Sequence, residues 1–122
     1  METKTSVLIA DPNEDLRLLI TDMLSRDEDL SVCGTADDGL AALDAVRRLH
    51  PDVVILELVL PRLDGLGVLR KLSEAEDIPA VLVLTGFVND RVVAESAELG
   101  ASYFMSKPCD FDELHQIGRA HV

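Results

Sequence analysis

The sequence predicts an α/β fold, a doubly wound parallel sheet with helices on both faces. Two observations carry this. Five short apolar runs alternate with five amphipathic stretches along the 122 residues, and such alternation requires right-handed crossovers and a parallel sheet. The third run, "DVVILEL" at 52–58, is apolar at nearly every position, which suits a strand buried on both faces.

Taken in order, "SVLIA" (6–10) is a strand, and "EDLRLLITDMLSR" (14–26) is a helix with Leu16, Leu19, Ile20, Met23 and Leu24 on one face. "LSVCGTA" (30–36) is the second strand; "GLAALDAVRRLH" (39–50) is a helix stopped by His50-Pro51. The third strand leads into the helix "DGLGVLRKLS" (64–73). "PAVLVLTG" (79–86) is the fourth strand, and "DRVVAESAELG" (90–100) a helix capped by Gly100. "SYFMS" (102–106) is a short fifth strand, and "DFDELHQI" begins the last helix.

Composition bounds the function. Hydrophobic residues make up 48% and charged residues 28%, so the chain is one packed domain rather than a disordered one, and with 3% aromatics its core is aliphatic. The net charge of −12 opposes nucleic-acid binding by this domain, since phosphates would be repelled. No apolar stretch is long enough for a membrane, and Met1-Glu2-Thr3-Lys4 does not open a signal peptide, so a cytoplasmic protein is expected. Cys33 and Cys109 lie far apart, with no metal-type spacing to the histidines, and read as free thiols.

In doubly wound sheets ligands bind outside the carboxyl ends of the strands. Asp11 follows the first strand, Glu57 ends the third, Thr85 ends the fourth, and Lys107 follows the fifth, before Pro108. Two acids, a hydroxyl and an ammonium on one rim suit a phosphoryl group, whose oxygens Lys107 would neutralise and Thr85 would hydrogen-bond. Each residue alone has an ordinary reading. Asp11-Pro12-Asn13-Glu14 is a helix start with Asp11 as cap, Thr85-Gly86 a turn, Lys107 a solvated lysine and Phe104 a core aromatic. Together, on one rim of one fold, they outweigh those readings.

"IAD" (9–11), "LPRLDG" (60–65), "LTG" (84–86) and "KP" (107–108) resemble the receiver domains of bacterial two-component response regulators over nearly the whole chain. "DGLGVLRKL" and "LGASYFMSKPCDFDEL" look closest to the master sporulation transcription regulator of endospore formers. The resemblance implies a flavodoxin-like sheet in the order 2-1-3-4-5. It also implies phosphoryl transfer from a histidine kinase or phosphotransfer protein to an aspartate ending the third strand, with Mg²⁺ or Ca²⁺ assisting. It makes Thr85 the switch hydroxyl, Lys107 the phosphate-binding lysine and Phe104 the switch aromatic, and it places a cis peptide at Lys107-Pro108.

Two positions depart from that pattern. Glu57 stands where the phosphorylated aspartate is expected, and Pro12 where a second acid would ligate the metal. Glutamate carries its carboxylate about 1.5 Å further from the backbone, whereas sites of this kind tolerate about 0.5 Å. Pro12 has no oxygen to offer a cation, so Asp11 and Glu57 alone would bind Mg²⁺ or Ca²⁺ weakly or not at all. Glu57 is therefore expected to imitate the phosphorylated state and to contact Lys107.

The expected whole is a non-enzymatic signalling domain over 1–116. Ile117–Val122 reads as a non-native tail: Gly118 interrupts the helix pattern, and Gln-Ile-Gly-Arg-Ala-His-Val is what one frame of a common sequencing adapter encodes. A downstream output domain, bearing any DNA binding, would be missing, and residues 89–116 could form a homodimer face. Competing readings are a receiver still phosphorylated on or near Glu57 and a small flavodoxin-like enzyme or cofactor binder. "DPNED" after the first strand, in place of a glycine-rich phosphate loop, opposes the latter.

Overall fold

The computed structural model describes residues 4–122; Met1–Thr3, the start of the stretch read against a signal peptide, lies outside the described residues. The elements run β1 (Thr5–Ala10), α1 (Glu14–Ser25), β2 (Leu30–Ala36), α2 (Gly39–Leu49), β3 (Val53–Leu56), α3 (Gly65–Ser73), β4 (Ala80–Thr85), α4 (Asp90–Glu98), β5 (Tyr103–Ser106) and α5 (Phe111–Arg119). All strands pair in parallel in the order β2-β1-β3-β4-β5. The expected α/β fold and strand order are present.

Alternate residues of the central strands feed two separate cores, as the period of two requires. Leu8, Val54, Leu56, Val81 and Val83 meet Ala42, Val46, Val68, Leu69 and Val92 of α2, α3 and α4. Val7, Ile9, Ile55, Leu82 and Leu84 meet Ile20, Leu24 and Leu114 of α1 and α5. That double burial is why the strands read as continuous apolar runs. β2, at one edge, skips Cys33: Val7 pairs with Val32 and Leu8 with Gly34, a bulge.

Several local expectations are corrected. Leu19 is 57% exposed, because it lies about 100° round α1 from the buried Ile20. The cap of α1 is Asn13, whose side chain accepts from Leu16 N, and not Asp11. Gly118 does not end the last helix: α5 continues to Arg119, and Gly118 lies against Leu30, where an added Cβ would stand 3.2 Å from Leu30 Cδ1. β3 is shorter than the apolar run and stops at Leu56, which leaves Glu57 as the first residue beyond it.

The loop after β3 is clamped to the start of α2. Gly39 N donates to Pro61 O at 3.1 Å, and a Cβ on Gly39 would fall 1.7 Å from Leu63 O. Within this loop Arg62 has φ 69° and Leu63 N donates to Pro61 O at 2.8 Å, a three-residue turn of the rare positive-φ kind. Among the described residues, no helix is long and apolar enough to cross a membrane.

Candidate functional site

Asp11, Glu57 and Lys107 each stand one residue past a strand, yet the sheet's hydrogen-bond ladder still holds their backbones. Asp11 N donates to Ala36 O at 3.0 Å, Glu57 N to Ala10 O at 2.9 Å and Lys107 N to Thr85 O at 2.8 Å. Parallel register therefore carries three separate chain segments to one rim, and Lys107-Pro108 is cis.

The side chains converge. Lys107 Nζ donates to Asp11 Oδ2 and to Glu57 Oε1, each at 2.8 Å. Glu57 Oε2 accepts from Leu58 N at 2.6 Å and Val59 N at 3.2 Å. Asp11 Oδ1 accepts from Asn13 N at 2.8 Å, and Asp11 O accepts from Arg17 Nη1 at 2.7 Å. Both acids are buried, Asp11 at 3% and Glu57 at 6% exposure. Thr85 is wholly buried, and its hydroxyl accepts from Phe87 N at 3.1 Å. Phe104 is half-buried and packs on the core beneath α2, α3 and α4. The sequence thus located Asp11, Glu57, Thr85 and Lys107, and Phe104 lies on β5 two residues before its end.

Burial opposes the Glu57 charge, but hydrogen bonds from Lys107, from the Thr85 hydroxyl and from the Val59 amide prevail and hold its carboxyl below the ordinary range. Burial likewise opposes the Lys107 charge, and the bonds to Asp11 and Glu57 outweigh it, raising the ammonium's pKa. Each group is held ionised by the other.

Sequence reasoning missed Arg17 and the two backbone amides. Arg17 stood amid the apolar residues of α1, where the only signal was a charge on the half-buried flank of the helix. The amides of Leu58 and Val59 leave no trace in residue type.

The residues that the resemblance implies as holders of a divalent cation are Asp11 and Glu57, with Pro12 at the third position. All four carboxylate oxygens of Asp11 and Glu57 already accept a hydrogen bond, and Pro12 offers no side-chain oxygen. Among the described residues no group of three or more His, Cys, Asp or Glu is placed to hold a metal.

Comparison with known proteins agrees with the fold. The family model for the response regulator receiver domain matches residues 7–119. A protein-glutamate methylesterase/protein-glutamine glutaminase of Methanospirillum hungatei is 39% identical over 114 residues, covering 92% of this chain and 33% of that protein. The chain therefore spans about a third of that relative's length. Among solved structures, the receiver domain of NarL from Mycobacterium tuberculosis aligns with TM-score 0.91 at 27% identity, covering 98% of this chain and 96% of that one. The response regulator domain of Thermotoga maritima CheB aligns with TM-score 0.90 at 24% identity, with the same coverage. With the fold, the strand order and residues 7–119 all in agreement, this chain belongs to the response regulator receiver domain family.

Proposed function

We propose that this receiver works without being phosphorylated, Glu57 standing in for the acyl phosphate that other receivers acquire. The observation that carries the reading is the set of donors Glu57 has gathered. Its carboxylate takes the Lys107 ammonium and the Leu58 and Val59 amides, with the Thr85 hydroxyl close enough to hold its pKa down. These are the donors an aspartyl phosphate on this rim would require. The rim binds Mg²⁺ or Ca²⁺ weakly or not at all. The domain is non-enzymatic and passes its state to protein partners, with self-association through 89–116 as one output.

The same reading makes the chain part of a longer regulator with a C-terminal output domain that would carry any DNA binding. The narrower assignment to sporulation rests on "DGLGVLRKL" and "LGASYFMSKPCDFDEL"; deleting the gene in the organism that carries it should then block spore formation.

The deciding experiment is intact mass after incubation with acetyl phosphate and Mg²⁺. The wild type should stay unlabelled. Glu57→Asp restores the nucleophile's length but no metal ligand, and Pro12→Asp the reverse. Each alone should therefore label little and the double variant far more than their sum, as groups acting together do. Ready labelling of the wild type would favour the second reading, a receiver still phosphorylated. A double variant that stays unlabelled would reduce the kinship to one of fold.

A further inference from the structure

The rim's charges balance without any added ion. Asp11 and Glu57 contribute two negative charges. Lys107 answers both carboxylates at 2.8 Å, and a second cation, Arg17, reaches back from α1 to the same turn, its Nη1 2.7 Å from Asp11 O. Arg17 is half-buried, and Asp11 O, the acceptor it occupies, is a backbone oxygen of the kind a divalent ion would otherwise recruit. Asn13 cannot supply a replacement, because its side-chain oxygen caps α1 by accepting from Leu16 N at 3.1 Å. Glu14 and Asp15, the acids that follow, are exposed.

We propose that Arg17 and Lys107 are the resident cations of this rim and take over the structural task of a divalent ion. Lys107 neutralises the two carboxylates, and Arg17 fixes the β1–α1 turn through the Asp11 carbonyl. A divalent ion entering here would have to strip Lys107 from both acids. It would also stand near the Arg17 guanidinium, held 2.7 Å from the Asp11 carbonyl, and like charges repel. Pro12 strengthens the arrangement, since its fixed φ holds the turn and its lack of an acid leaves Arg17 unopposed. This deepens the reading of a phosphorylation-independent receiver and rests on it in treating Asp11 and Glu57 as the whole acidic rim.

The test reads metal binding rather than labelling, so the two can fail separately. Wild type, Pro12→Asp and Pro12→Asp/Arg17→Gln are titrated calorimetrically with MgCl2 and CaCl2, and melted with millimolar MgCl2 or with EDTA. The wild type should give no saturable heat and one Tm in both buffers. Pro12→Asp should bind, and adding Arg17→Gln should tighten binding about tenfold, as removing one nearby positive charge in a water-like dielectric would. Saturable wild-type binding at micromolar metal would overturn the proposal, even if intact mass showed no phosphorylation. An Arg17→Gln effect within about twofold would overturn the part given to Arg17. If the double variant does not fold, Pro12→Asp/Arg17→Met, which keeps more of the side chain's apolar bulk while removing its charge, is read in its place: about tenfold tighter binding than Pro12→Asp supports the proposal, and a change within about twofold overturns it.

Discussion

Ser96 is fully buried in α4, and its Oγ has no hydrogen-bond partner among the described residues. A buried donor without an acceptor gives up its hydration and gains nothing in return. Ser96→Ala should raise stability by about 1 kcal/mol in denaturant titration. Glu57 is the opposite case, since its carboxylate oxygens all have donors. Glu57→Gln removes the charge and turns an amide NH2 toward donors, and should lower stability by roughly 1–3 kcal/mol near neutral pH. The pH dependence has a definite sign. A carboxyl held below its ordinary 4.5 contributes stability that is complete above that value and fades as acid takes the pH through the lowered one. Lys107, raised above its ordinary 10.5, contributes below that value and loses its share only as the pH climbs beyond it. The gap between wild type and Glu57→Gln should therefore be level between these limits and close outside them. A gap that persisted in strong acid would show that the charge is not its source.

At the scale of the element, the loop between β3 and α3 holds the least comfortable backbone. Arg62 at φ 69° is in a region that β-carbons disfavour. Its ion pair with Asp38, 3.9 Å long and largely exposed on the arginine side, contributes little. Arg62→Gly should raise stability by about 0.5–1 kcal/mol, the relief of strain exceeding the added freedom of the unfolded chain; an unchanged or lower midpoint would count against a strained turn. The elements themselves were legible in the sequence because double burial writes a continuous apolar run and helices write their period. What periodicity could not show was where a helix faces. Leu16 and Leu19 look equivalent in "EDLRLLITDMLS", and only the docking of Ile20 and Leu24 on the sheet separates them. Gly118 misled for a similar reason, since its lack of a side chain serves Leu30, eighty-eight positions away in sequence. In the site, acids and the lysine were visible as residue types at strand ends. The backbone amides of Leu58 and Val59 were not, because the geometry of a turn is not written in side-chain chemistry.

For the whole molecule, a net charge of −12 on 122 residues repels itself in the folded state. Screening should therefore stabilise the domain: Tm should rise as NaCl is added from low ionic strength, with most of the rise complete once the Debye length falls to about 8–10 Å. A flat response would show that the excess acids are already balanced locally. The two cores divide the labour of the fold, one beneath α2, α3 and α4 and the other beneath α1 and α5, while Asp11, Glu57 and Lys107 stand one residue beyond the strand ends. Changes at positions 12 and 57 would thus leave both cores untouched. The bulge at Cys33 has a different consequence. A parallel sheet has two open margins, and a straight one invites the same strand of another molecule to extend it. Here one margin, β2, is broken in register at Cys33, and the other, β5, runs for only four residues before Lys107-Pro108. Neither offers an uninterrupted template, so the route from crowded solution to fibril is obstructed at both ends of the sheet.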